Sequence, residues 1–200
     1  MGNTDKFDQI ANSYDTPERM QIAKLSADAI RECLADAKGK TAIDFGCGTG
    51  LAGMHLLKDF ESILFLDASQ NMIQEVRRKI SEANIRNADT LCFDFEKDSI
   101  ADLRADCIFM VQVLLHIGDF RPVLRRLYDV LNAGGRLIII DFDKNVEITS
   151  TLVHNGFDQE ELADIMKETG CKRVQSRTFH QGSKIFMGQD ASLFILDAQK

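Results

Sequence analysis

The stretch AIDFGCGTGLAG, residues 42–53, runs apolar residues and Asp44 directly into four glycines, Gly46, Gly48, Gly50 and Gly53. Glycine loses more backbone entropy on folding than any other residue, so such a cluster needs a turn of positive φ or a ligand pressed against the main chain. Beyond it Leu51, Met54 and Leu57 recur every three residues, a helical period. The stretch therefore predicts a buried strand, a glycine loop and a helix, with loop amides that a ligand can approach closely.

Upstream, Met20, Ala23, Ala27, Ile30 and Leu34 form one face of an amphipathic helix over 17–37. Thr16 is placed to cap it and Pro17 to occupy its first position. Downstream, SILFLDAS (62–69) is a second strand ending in Asp67, and Ser69 can cap a helix that turns Met72, Ile73, Val76, Ile80 and Ala83 inward. TLCFDF (90–95) and ADCIFMVQV (105–113) follow as strands, then a helix from Phe120 to Leu131, then the strand GRLIIIDF (135–142). Continuous apolar strands alternating with helices indicate a parallel sheet covered on both faces. Near the end, Asp158 and Glu161 make a capping-box pair for a helix over 158–169. The strands CKRVQSRTFHQ (171–181) and ASLFILDAQ (191–199) follow with a connection too short for a crossover, so they should pair antiparallel.

Composition sets limits on partners. With 200 residues, 44% hydrophobic and 28% charged, the chain suits a single domain, and its two prolines and lack of a Gly/Ser tract mark no linker. A net charge of -7 argues against nucleic acid, which needs a basic footprint. EVRRK (75–79) and RPVLRRL (121–127) fit solvated helix faces. The five cysteines have no metal-ligand spacing and suit a reducing cytoplasm. MGNTDKFDQI lacks the apolar stretch of a secretory signal, and Lys6 stands where myristoylation needs Ser or Thr. No run nears the roughly 18 apolar residues of a membrane span.

Ligands of open α/β sheets bind beyond the carboxyl ends of the strands, at the switch point beside the first. Asp67 stands there, about 20 residues after the first glycine, where a carboxylate can accept from a ribose diol. The loop reads GxGxG, and a dinucleotide fingerprint would place its third glycine where Leu51 stands. That spacing weighs against NAD.

At this point the chain resembles the class I S-adenosylmethionine-dependent methyltransferases. AIDFGCGTG is similar to their first motif, LFLDAS to the second, CFDFEK to the third, ADCIFMVQVLLHI to the fourth and LNAGGRLIIIDF to the fifth, all in family order. FDQIANSYD resembles the opening of many small-molecule members. The resemblance implies a Rossmann-like, doubly wound, mostly parallel seven-stranded α/β sheet with an antiparallel last strand and an N-terminal lid helix. One methyltransferase domain would comprise a lid segment (1–38), a cofactor-binding core (39–142) and a C-terminal helix with the antiparallel strand pair (143–200).

The same resemblance assigns roles toward S-adenosyl-L-methionine and its product S-adenosyl-L-homocysteine. Asp44, Gly46, Cys47, Gly48 and Gly50 would lie against the methionine portion, and Asp67 with Ala68 would meet the ribose. Met72 would cover the adenine, Asp94 would accept from its amino group beside Phe95, and Val111 and Gln112 would line the methionine chain. Plainer readings stand beside these: Asp67 as a helix cap, Met72 as core, Cys47 as a small spacer. Asp94 between Phe93 and Phe95 needs a partner or water. Tyr14 and His116 are the candidate catalytic side chains, with packing of the lid and support of a loop as their structural alternatives. His55, His154 and His180 share no spacing and are assigned nothing.

The expected activity is in-line methyl transfer to a small-molecule acceptor, with positioning and water exclusion doing most of the catalysis. MVQV lacks the Asn-Pro-Pro-Tyr pattern of base-nitrogen methyltransferases. The expected state is a cytoplasmic monomer or homodimer with no nucleic acid, membrane or metal partner. An NAD-dependent oxidoreductase and a non-catalytic cofactor-binding protein are the competing classes.

Overall fold

The computed structural model of the chain describes residues 4–34, 39–94 and 103–200. Its helices are α1 (Thr4–Ile10), α2 (Pro17–Cys33), α3 (Leu51–Leu56), α4 (Gln70–Glu82), α5 (Arg121–Val130) and α6 (Gln159–Thr169). Its strands are β1 (Thr41–Phe45), β2 (Ser62–Asp67), β3 (Ala88–Cys92), β4 (Ala105–Val111), β5 (Leu131–Phe142), β6 (Arg173–Phe186) and β7 (Gln189–Gln199). They form one sheet in the order β3-β2-β1-β4-β5-β7-β6. The first five pair in parallel, and β7 runs antiparallel to both β5 and β6. The chain reverses its direction of travel across the sheet after β3, which puts the switch point between β1 and β4.

Helices α2, α4 and α6 each start at a side-chain cap. Thr16 accepts from the Arg19 amide, Ser69 from Met72, and Asp158 from Glu160 and Glu161. One face of the sheet is covered by α2 and α3 with Val76 of α4, around Ile30, Leu56, Phe65, Phe109 and Ile140. The other carries α5 and α6 around Leu124, Leu127, Leu162 and Met166 against Ile108, Leu137 and Ile139.

Four boundaries differ from the sequence reading. Helix α2 ends at Cys33, with Leu34 leaving helical geometry at ψ 89°. β3 starts at Ala88 because its register with β2 aligns Ala88–Cys92 with Ile63–Asp67. β5 starts at Leu131, paired to Ala105, and absorbs the two glycines through a register shift before Cys107 meets Arg136. β6 and β7 extend to Phe186 and Gln189 through Met187 and Gly188, whose φ values of +51° and +78° match a two-residue primed turn. Ahead of α2 lies a further helix, α1, with a 3-10 turn at Ala11–Ser13. α1 carries few apolar residues, and its segment covers the strand tips while α2 is built into the core.

Candidate functional site

The glycine loop takes its shape from three left-handed residues. Gly46, Gly48 and Gly50 have φ of +66°, +53° and +80°, values that an L side chain adopts at a cost. At Gly46 the room is also absent, because a Cβ would stand 2.6 Å from the Val113 side chain. A Cβ on Gly48 would meet only Tyr14, at 3.8 Å. The loop is anchored to the end of β2, where Leu66 O accepts from Gly46 N at 2.7 Å and Cys47 N at 3.0 Å.

Three carboxylates stand at this end of the sheet, each accepting main-chain amides. Asp44 is 2% exposed and accepts from Gly53 N, the first amides of α3 lying just beyond the loop. Asp67 accepts from Gly48 N and Ser69 N, both at 2.8 Å. Asp141, at 0% exposure, accepts from Leu115 N at 3.1 Å and Phe142 N at 2.9 Å. Burial pushes Asp44 up to about 8 and Asp141 up to about 7, against the opposing pull of their amide donors. Burial also raises Asp67, with its Ser69 and Gly48 bonds working the other way. Among the described residues no Lys or Arg forms an ion pair with any of the three.

The N-terminal segment closes over these groups. The Phe7 ring meets Tyr14 edge-on at 6.4 Å and His116 at 5.0 Å. Asp8 accepts from the Ser69 hydroxyl and from Asn71 N at 3.2 Å, while the Asn71 side chain donates back to Asp8 O at 3.0 Å. Asp15 accepts from the Thr49 hydroxyl and pairs with Lys79 at 2.6 Å, and Lys79 also donates to Thr49 O at 2.7 Å. The segment is thus tied to the start of α4 and to the glycine loop. Tyr14 lies between these ties under the Arg19 guanidinium, 4.2 Å from its ring. Burial raises its hydroxyl above the usual tyrosine range, with Arg19 opposing, so it stays a neutral donor.

The remaining sequence candidates distribute around the same strand ends. Ala68 follows Asp67, and Met72 is 1% exposed in the first turn of α4. Phe93 N donates to Asp67 O at 2.9 Å and holds the half-buried Asp94 beside β2. Phe95 lies outside the described residues. Val111 closes β4, and Gln112 sits at φ +55° with its N–H on Ile140 O at 2.7 Å. His116 ends a 3-10 turn over Leu114–His116. Burial drives the Cys47 thiol well above its normal range, which keeps it protonated. The sequence reading missed Asp8, Asp15, Lys79 and Asp141. A signal existed only for Asp141, a carboxylate inside the apolar run LIIIDF, as Asp44 is in AIDF.

Comparison with known proteins follows this geometry. Residues 43–137 match the family model described as a methyltransferase domain. Over this segment the chain is similar to S-adenosylmethionine-dependent methyltransferases. A demethylmenaquinone methyltransferase of Listeria monocytogenes is 28% identical over 141 residues, which are 68% of this chain and 60% of that protein. The chain thus spans somewhat over half the length of the curated relatives it matches. A SAM-dependent methyltransferase from Aquifex aeolicus superposes with a TM-score of 0.75 at 20% identity, covering 96% of this chain and 97% of that one. The magnesium protoporphyrin IX methyltransferase of Synechocystis, solved with bound S-adenosylhomocysteine, gives 0.70 at 15% identity over 91% and 83% of the two chains. The likeness in fold therefore extends through β7, beyond the segment that the family model covers.

Proposed function

We propose that the chain transfers a methyl group from S-adenosylmethionine to a small-molecule acceptor. The observation that carries this reading is Asp67. Its two oxygens already hold Gly48 N and Ser69 N, which fixes the carboxylate at the tip of β2, and it has no cation partner among the described residues. A carboxylate offers about four acceptor sites. The Ala68 amide also acts on it, and the acceptor capacity left over would serve a ribose diol, in a place where burial makes its satisfaction worth most.

The other groups fit the same cofactor. Gly46 and Gly48 present a main chain without Cβ atoms, and Asp44 stands behind the loop as an acceptor for an ammonium group. Met72, Val111 and Gln112 would flank the adenine and the methionine chain, and Asp94 would accept from the adenine amino group. Bound there, the cofactor supplies an activated methyl on a sulfonium with a good leaving group. The chain's part is to bind, to align and to keep water out. Phe7 and Tyr14 form the cover that excludes water, and the neutral Tyr14 hydroxyl would donate toward cofactor or acceptor. His116, under Phe7, would receive a proton from an acceptor that must lose one.

The quinone methyltransferases among the relatives support a small cyclic acceptor over a macromolecule, and the acidic charge supports the same choice. Calorimetric titration with S-adenosylhomocysteine tests the cofactor, with NAD as comparator. Binding of the former with a 1:1 stoichiometry is expected, and binding of NAD alone would replace this reading with an oxidoreductase. Incubation of metabolite extracts with methyl-labelled cofactor then reads out the acceptor. A chain that binds cofactor and labels nothing would be a binding protein.

A further inference from the structure

The segment after β4 is held from beneath by the end of β5. Gln112 N donates to Ile140 O at 2.7 Å, and the next residue of β5, Asp141, takes Leu115 N on one oxygen and its own neighbour Phe142 N on the other. The Leu114 amide also acts on this carboxylate. From the other side, His154 N donates to Leu115 O at 2.9 Å and the His154 ring meets Ile117 O at 2.8 Å. The 3-10 turn Leu114–His116 is therefore clamped between β5 and the 143–157 loop. Its two ends reach the site: Val113 packs on the Cβ-free face of Gly46, and His116 carries Phe7 of the cover.

We propose that Asp141 is a positioning residue for the cofactor loop and its cover, acting through this turn. The proposal rests on the reading of the site given above. A fully buried carboxylate is a costly way to close a strand, and an apolar side chain would pack there at lower cost. What only an acceptor pair can do is gather amides of two segments at one point. Buried bonds of this kind are costly to break, because each break leaves an unpaired amide. They leave Val113 a single position, and with it the Gly46 turn.

Asp141→Asn tests the idea, since the isosteric amide keeps one acceptor and turns an N–H toward the second donor. In the folded variant we expect S-adenosylhomocysteine to bind about tenfold more weakly, the scale of one buried donor left unpaired. Amide hydrogen exchange without cofactor should quicken about tenfold at Val113, Leu115 and Gly46, while Ile138 and Ile139 keep their protection. A purely structural role would lower the melting temperature and leave affinity and Gly46 exchange unchanged well below it. Affinity within twofold of the unmodified chain would overturn the proposal. If the variant does not fold, the unmodified chain decides. Leu115 N should exchange as slowly as the strand amides of β5, and exchange at the rate of the exposed residues Glu147 and Leu152 would sink it. Failure of S-adenosylhomocysteine to bind the unmodified chain would instead strike the cofactor reading, and the exchange measurements would still judge the turn.

Discussion

The carboxylate of Asp67 accepts the N–H of Gly48 at 2.8 Å, so the tip of β2 holds open the turn that follows β1. One side chain thereby sets the loop's shape and, in the proposed function, meets the ribose as well. Asp67→Ala should weaken S-adenosylhomocysteine binding by about 1.5–3 kcal/mol through lost charge-assisted bonds. It should also release Gly48 N, visible as faster amide exchange without cofactor. Unchanged calorimetric affinity in a folded variant would remove the ribose role.

Gly46→Ala confronts two separate costs. The φ of +66° strains any L residue, by about 1–3 kcal/mol. The new methyl also meets Val113 at 2.6 Å, and overpacking of this kind costs about 1–3 kcal/mol. Urea unfolding should show the sum, and adding Val113→Ala should recover only the packing part. Full recovery would mean that the backbone at Gly46 is unstrained.

Stability should fall as pH rises from 5 to 8.5. Asp44 and Asp141 keep their protons in the folded chain up to about 8 and about 7, whereas an unfolded aspartate loses its proton near 3.9, as a rough reference value. Between those limits the folded state binds more protons, so the stabilisation is complete below the unfolded pKa and is lost as pH climbs through the folded values. Thermal scans of the cofactor-free chain should give a lower melting temperature at pH 8.5 than at pH 5.5. Asp44→Asn should flatten the trend, and a melting temperature rising with pH would contradict the buried protons.

Lys79 joins α4 to the cover. Replacing it by Met removes the partner of Asp15 and the donor to Thr49 O. A partly exposed pair of this kind contributes about 1 kcal/mol, or roughly fivefold in the population of the undocked segment. Chymotrypsin should then cut near Phe7 and Tyr14 about fivefold faster, and saturating S-adenosylhomocysteine should slow it again. Equal cutting rates would show that Lys79 does not hold the cover down.

Particular residues explain what could be read from the sequence. Thr16, Ser69 and Asp158 announce their helices because a cap acts within three residues of itself, and each makes its expected bond. The strands themselves followed from apolar runs that need no knowledge of their partners, whereas their order across the sheet is a property of the folded chain. The start of β5 was hidden because Ala133, Gly134 and Gly135 have weak strand propensity, and only the neighbouring β4 holds them in the sheet. The Met187–Gly188 turn lacks the usual Asn at its first position. In the site, Asp44, Asp67 and the glycines stood out by local pattern. Asp8, Asp15 and Lys79 act between segments far apart in the chain, and no local pattern carries such a link.

The two poles of the sheet have different neighbours. Phe7 and Tyr14 lie over the strand tips, whereas Lys200 donates to Tyr128 O and Leu131 O, both at 2.8 Å, at the far pole where β5 begins. Tethering to a sensor chip or resin through the pole that holds Lys200 leaves the proposed site facing bulk solution. A tether attached ahead of Phe7 would pull on the segment that covers that site and report on the linker as much as on a ligand.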